Sequence, residues 1–418
     1  MTIVGLDDTD SRERGMCTTY AAHEVAERLE SAGFPVERVL LVRLNPAAPH
    51  KTRGNAALAI HTDANPDRAF DAARDVVSAA AEVDDPNTQP GVVVAPDDGA
   101  PASEFAWNAV HDLLDLEDAL ALADDLDYRH EGWRGGRGRI GALAAIGSWR
   151  AFPDWTYERI SYRRPDRWGT PREFSHESVF TAADAGYPAV WDTVDRGEGE
   201  AVCVPHTPGP VLHGIRGDSP EAVREVSEPI ESEPVHAART FVTNQGTDVH
   251  LRDAPLSEIE DGGAYRVAGT VASDPETRRG GHVFVTLEDG GETLSCAAFE
   301  PTKRFRDRVR ALRPGDRVLA CGEVSDGTLK LEKLRVDALV SVERVTPTCP
   351  DCGNRMKSAG RDQGYRCRDC DTTAPGKVER PLRRDLAPGW YEVPPCARRH
   401  VAKPLVRGGF DAPTHPEG

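Results

Sequence analysis

Lysine is the scarce residue of this chain. Of 51 Lys+Arg only seven are lysine, set against 69 Asp+Glu, and the net charge is −18 over 418 residues. Carboxylate excess with so little lysine is the composition of a salt-in halophile protein. There an acidic surface stays hydrated, and repulsion is screened over roughly 3 Å at 1 M salt. The acidic balance therefore does not exclude a nucleic-acid partner, because phosphate contacts gain little from counterion release in molar salt. Long apolar runs are also missing. No 18-residue apolar stretch exists, and no basic segment leads into an apolar one at the N-terminus, which predicts a cytoplasmic chain without membrane association. Nothing in the pattern calls for an obligate protein partner. Nine cysteines in that setting predict metal ligands or buried thiols rather than disulfides. The length excludes a single core and predicts three or four domains.

The N-terminal stretch MTIVGLDDTDSRERGMCTTY organises what is there. Ile3 to Leu6 reads as a buried strand ending in Asp7, Asp8 and Asp10. Gly15 opens a turn, and Thr18 and Thr19 head a segment whose apolar residues Ala22, Val25, Ala26 and Leu29 have helical spacing. Carboxylates and hydroxyls thus converge where a strand stops and a helix starts, a place that suits phosphate and Mg²⁺. An acidic turn with a helix cap is the plainer alternative.

Further on, Val39 to Leu44 predicts a strand and Asn45 to Ile60 a loop holding Lys51 and Arg53. These two are either phosphate contacts or surface charges. Gly91 to Ala95 predicts a strand, and Phe105 to Asp125 one acidic amphipathic helix. The stretch GWRGGRGRIGALAAIG offers Gly136, Arg137 and Gly138 as a cradle for a nucleotide before a helix over Ile140 to Ile146. It lacks the Lys-Ser/Thr ending of a P-loop, so a tight structural turn explains it equally well. Strands at Thr156 to Tyr162 and Val202 to Pro205, a helix over Glu177 to Ala183 and a strand at Val211 to Gly217 predict an α+β domain to about residue 235. Phe241 to Leu251 gathers Asn244, Gln245, Thr247, Asp248 and His250, as a solvated connector or as contacts to a polar ligand.

From Gly263 the pattern alternates with period two. Three strands, a helix over Pro301 to Leu312 and two more strands (Arg317 to Glu323, Thr328 to Leu334) follow the layout of an OB-fold. Such a barrel binds oligonucleotides or oligosaccharides on one face or serves as a scaffold. Cys349-x₂-Cys352 and, after fourteen intervening residues, Cys367-x₂-Cys370 have the spacing of a Zn²⁺ ribbon that folds around its metal. Residues 343–418 carry 14 Lys+Arg against 10 Asp+Glu, a local basic excess that suits a polyanion.

The strings GLDDTDS, GMCTTY, RLNPAAPHKTRGNAA, GRGRIGALAAIG, FVTNQGTDVH and ARRHVAKPLVR resemble those of archaeal isoleucine-tRNA 2-agmatinylcytidine synthetases over essentially the whole chain. The resemblance implies an α+β multidomain protein. Its parts are an ATP-binding kinase-like α/β domain over 1–127, a ferredoxin-like domain over 128–240, an OB-fold β-barrel over 255–342, a zinc ribbon over 345–376 and a basic C-terminal tail over 377–418. It implies ATP-dependent attachment of agmatine to C2 of the wobble cytidine of the isoleucine tRNA with a CAU anticodon, through phosphorylation of the cytosine C2 oxygen and release of AMP. Asp7, Asp8 and Asp10 would hold Mg²⁺ on ATP, Lys51 and Arg53 would neutralise phosphate, and Thr18 would itself be phosphorylated, with Thr19 beside it. Asn244, Gln245, Asp248, Arg398, Arg399 and Lys403 would meet substrate. The rival class is a non-catalytic single-strand binder built from OB-fold and ribbon, which leaves the N-terminal carboxylates idle.

Overall fold

The computed structural model describes residues 1–49, 51 and 54–416. Residues 1–243 form a single nine-stranded sheet made of two similar units. The first unit runs β1 (Thr2–Asp7), α1 (Thr18–Ser31), β2 (Val36–Arg43), β3 (Ala56–Thr62), α2 (Pro66–Ala80), β4 (Gly91–Ala95). It continues with α3 (Ser103–His111), α4 (Leu116–Asp125), β5 (Arg129–Gly132) and α5 (Gly138–Ala151). The second runs β6 (Thr156–Arg163), α6 (His176–Gly186), β7 (Val190–Trp191), β8 (Val211–Gly217), α7 (Pro220–Ser227), β9 (Val235–Thr243). Strand order is β5-β4-β1-β3-β2-β9-β6-β8-β7. Each unit contains the antiparallel split-βαβ order of a ferredoxin-like fold, β4-β1-β3-β2 in one and β9-β6-β8-β7 in the other. The units meet at the β2–β9 seam, the one parallel pairing of this sheet among the described residues.

Alternation along the first-unit strands sends side chains to two cores. Val4, Leu6, Leu41 and Ile60 pack under α1 and α2, while Ile3, Leu40, Val42 and Ala59 pack under α3, α4 and α5. Several expectations change here. Ala56 to Ile60 is a central strand rather than loop, because an alanine-rich run fits between two covered faces. The acidic stretch after Asp63 contains α2, started by Asn65, whose side chain accepts from the Asp67 N–H. The single helix expected over Phe105 to Asp125 is two, broken at Asp112–Asp115. Val202 to Pro205 forms no strand, and Phe241–Thr243 close β9. α5 packs against β1, β3 and β4, so it belongs to the first unit's core.

Strands Ala264–Val271, Val283–Asp289, Glu292–Ala298, Arg317–Ser325 and Thr328–Ala338 close a five-stranded barrel with helix Phe305–Arg310 between the third and fourth. The ribbon is three short strands around the four cysteines. Expected as a tail, residues 377–416 instead pack into the fold. Val378–Pro381 pairs with Val342–Val345, Gly389–Glu392 adds a strand to the barrel sheet, and residues 395–407 run back into the junction between the barrel and the large sheet. Among the described residues no helix is long and apolar enough to cross a membrane.

Candidate active site at the end of the first strand

Asp7, Asp8 and Asp10 line a cavity of about 300 Å³. The same cavity takes in Lys51, Arg137, Gly138 and Gly141, the sequence-predicted carboxylates, cation and glycine loop in one place. Glycine makes the approach possible. A Cβ on Gly141 would lie 2.0 Å from the Asp7 Oδ2, one on Gly5 2.1 Å from the Ala142 carbonyl oxygen, and one on Gly91 2.1 Å from the Arg139 nitrogen. The glycine-dense stretch thus lets α5 lie directly on β1 and β4, and its N-terminal turn is brought against the aspartates. The Gly138 N–H itself donates to the Gln89 carbonyl. Gly136 shapes the preceding turn and does not line the cavity.

Burial and mutual repulsion act on Asp7 and Asp8 against the charge of Arg137. Asp7 is pushed well above the ordinary carboxylate range by burial first and then by the neighbouring Asp8 charge, with Asp10 adding to both effects. Asp8 is raised to about 6, burial again leading, although its Oδ2 accepts a 3.0 Å bond from the Gln89 N–H and Arg137 opposes the shift. Asp8 also sits at φ 61°, a strained conformation of the kind held at functional positions. A cluster that burial and mutual repulsion hold towards protonation fits a divalent cation, whose charge would reverse both effects. The other end of the cavity is apolar, walled by Leu44, Pro49, Leu113, Leu114 and Ile140, with Asn55, Asp112 and Asp115 at its rim. Sequence reasoning passed over these last three. The only signal for the two aspartates was their position in the HDLLD break, which a single-helix reading hid.

Thr18 stands behind the cavity rather than in it. It is 6% exposed, and its hydroxyl oxygen accepts from the Thr9 N–H (3.4 Å) and hydroxyl (3.2 Å). Thr19 Oγ1 lies 3.0 Å from the Cys17 sulfur. Lys51 Nζ donates to the Pro46 carbonyl, and burial lowers its pKa. Arg53 lies outside the described residues.

The residues expected to touch substrate are mostly committed to the scaffold. Asn244 clamps the β2 end, accepting from the Arg43 N–H at 2.7 Å and donating to the Arg43 carbonyl at 2.9 Å. Gln245 is fully buried and donates to Glu158. Asp248 is paired with Lys333 at 3.1 Å and accepts from the Lys403 N–H at 2.7 Å, which removes it as a partner for a guanidinium ligand. Arg398 is buried between Asp192 (2.7 Å) and Glu392 (2.8 Å), and Arg399 is shared by Glu332 and Glu323. Arg398 joins the large-sheet region to the strand Gly389–Glu392, whereas Arg399, 37% exposed, ties the C-terminal segment to two barrel strands. The polar density read as a ligand surface is an internal seam. The Cys349, Cys352, Cys367 and Cys370 sulfurs lie within 4.8 Å of one another, the geometry of four thiolates sharing one zinc ion.

Comparison with known proteins follows the same division. Family models described as the TiaS TCKD domain match residues 3–64 and 61–134, and the TiaS FLD domain matches 136–250. An OB-fold nucleic acid binding domain matches 265–337, and the TiaS C-terminal zinc ribbon domain matches 346–386. The isoleucine-tRNA 2-agmatinylcytidine synthetase TiaS of Haloquadratum walsbyi is 51% identical, covering 100% of both chains. The enzyme of the same description from Methanosarcina mazei is 45% identical over 97% of each. Among solved structures, a complex of TiaS with isoleucine tRNA and ATP is similar with TM-score 0.90 and 41% identity, covering 99% of both chains. A complex of TiaS with isoleucine tRNA, AMPCPP and agmatine gives TM-score 0.88 and 39% identity over 99% of this chain and 98% of the other. With relatives matched end to end and each part of the fold matched in order, the chain belongs to the isoleucine-tRNA 2-agmatinylcytidine synthetase family.

Proposed function

We infer that this chain is a ligase that uses ATP to join agmatine to an isoleucine tRNA, forming a carbon–nitrogen bond. Full-length similarity to relatives bound to isoleucine tRNA, ATP and agmatine carries this reading. In finer detail, the target is C2 of the wobble cytidine in a CAU anticodon. A phosphoryl group passes from ATP to the C2 oxygen, making an O–P bond as the ATP linkage breaks. The agmatine amine then attacks C2 and loses a proton, and the C2–O bond breaks with phosphate leaving. AMP as product requires a second cut in the ATP phosphate chain.

In this reading the apolar end of the cavity takes adenine and the carboxylate end takes the phosphates. Asp7, Asp8 and Asp10 would hold Mg²⁺, which supplies charge neutralisation and orientation when bound. Lys51, Arg137 and the α5 N-terminus face the same phosphates, and positioning with electrostatic stabilisation supplies most of the catalysis of phosphoryl transfer. Arg53 extends this cation set along the chain. Phosphorylation of Thr18 requires its loop from Thr9 to Cys17 to open, since the hydroxyl is enclosed. The zinc ribbon and barrel grip the tRNA, and the site of action is the cytoplasm. The proposed division by sequence is 1–127, 128–240, 255–342 and 345–376, with β5 and α5 of the second segment packed onto the first unit.

Mass spectrometry of nucleosides from unmodified isoleucine tRNA, incubated with the protein, ATP, Mg²⁺ and agmatine in molar KCl, tests this. The expected result is a cytidine heavier by agmatine less water, with AMP formed. Unmodified cytidine with no AMP, at undiminished tRNA binding, identifies a non-catalytic binder.

A further inference from the structure

A second cavity of about 240 Å³ lies where the first unit, the barrel and the C-terminal segment meet. Arg43, Lys51, His250, Glu323, Arg399 and His400 line it. It shares Leu44, Lys51, Gly54 and Asn55 with the carboxylate cavity, so the two are neighbours across one wall.

Its charge imbalance is the reverse of its neighbour's. Arg398 and Arg399 are each held by two carboxylates. Arg216 lies 3.3 Å from Glu158, which also receives the Gln245 amide. The carboxylate acting most on the Arg43 guanidinium is this same Glu158, which it shares with Arg216 and Gln245. Burial pulls the Arg43 pKa down, Glu158 opposing and the Arg216 charge adding to the fall, and its Nε has no hydrogen-bond partner among the described residues and no accessible surface. His400 stands among the same guanidiniums. Burial, then Arg216, Arg43 and Arg398, hold it well below the ordinary imidazole range, that is neutral. Its Nδ1 is likewise enclosed and without a partner among the described residues, and its backbone is left-handed at φ 65°. Enclosed donors without acceptors, crowded by like charge, are unfavourable unless an anion completes them.

We propose that this junction cavity is a phosphate-binding chamber for the RNA nucleotide undergoing reaction, with Arg43 and His400 as its donors. The inference rests on the ligase reading. Carboxylates on one side of the shared wall and cations on the other suit a metal-bound ATP facing a phosphate-bearing acceptor, and Lys51 stands at both. The phosphate comes either from the RNA backbone or from the group newly transferred to the base.

Arg43→Gln, Arg43→Lys and His400→Ala, each checked by thermal unfolding, distinguish the sources. Filter binding of tRNA without ATP reads the backbone phosphate; the transferred group is read by label from γ-labelled ATP retained on enzyme-bound tRNA without agmatine. A tenfold or greater loss of tRNA affinity assigns the chamber to the backbone. Unchanged affinity, with retained label and agmatine product falling at least tenfold more than AMP release, assigns it to the transferred group. Arg43→Lys, which keeps the charge, recovers part of either loss. Folded variants that bind tRNA, retain label and form product within twofold of the natural protein overturn the proposal; if Arg43→Gln fails to fold, His400→Ala decides. Absence of product from the natural protein itself would instead remove the ligase reading.

Discussion

Two clusters of enclosed charge, one at the end of β1 and one where the large sheet meets the barrel, are built in opposite ways. At the end of β1, Asp7 and Asp8 share a cavity with a third carboxylate and are both displaced upward in pKa. At the junction, Arg398 lies between Asp192 and Glu392, with all three side chains 4% exposed or less. In the first cluster burial and mutual repulsion outweigh the opposing Arg137 charge. The second is closed, and burial's opposition to the Arg398 charge is overcome by its two carboxylates. Compensated charge holds the scaffold together, whereas uncompensated charge marks where a ligand completes the structure.

The ribbon extends that comparison to a third region and gives the largest expected effect. Its only buried apolar set among the described residues is Cys349, Met356 and Cys367 with Tyr365 and Ala374 against them, so zinc supplies most of its folding free energy, on the order of 10 kcal/mol. Cys352→Ser is expected to release zinc and unfold residues 346–376 while ATP cleavage by the large sheet persists, measured by metal analysis and AMP formation. Next, Arg398→Met leaves two buried carboxylates unpaired and is expected to destabilise the protein by about 3–5 kcal/mol in denaturant unfolding. A loss below about 1 kcal/mol would mean that the seam does not hold the junction. Smaller again, Gly141→Ala forces a methyl onto Asp7 and is expected to cost about 1–3 kcal/mol, with weaker Mg²⁺-dependent nucleotide binding by calorimetry. Unaltered binding would detach Asp7 from the site.

The sequence reveals these regions unequally. β1, α1 and α5 are legible because each has a continuous apolar pattern, and the aspartate and glycine motifs stand at their ends. The central strand Ala56–Thr62 is hidden because alanine carries little strand signal, and it is set by being covered on both faces. The conversion of FVTNQGTDVH and ARRHVAKPLVR from ligand surface to internal seam is not legible at all. Asn244 and Arg398 find their partners 201 and 206 positions away, and a polar residue's availability depends on those partners alone.

In the Mg²⁺ reading proposed above, a divalent cation would offset the repulsion among the β1 carboxylates. Asp8 titrates near 6 in the folded protein against an ordinary 3.8. A raised carboxyl favours the folded state below about pH 4, and that contribution is lost as pH rises through 6. Thermal unfolding of the natural protein and of Asp8→Asn, at pH 7.5 in chelator and again with Mg²⁺, tests this directly. In chelator the variant is expected to melt at the same temperature or higher, because a repelling charge is gone. With Mg²⁺ the natural protein is expected to rise above it, and Asp8→Asn to lose ATP cleavage at least about 100-fold. A variant less stable in chelator, or a natural protein that Mg²⁺ does not stabilise selectively, would contradict the account.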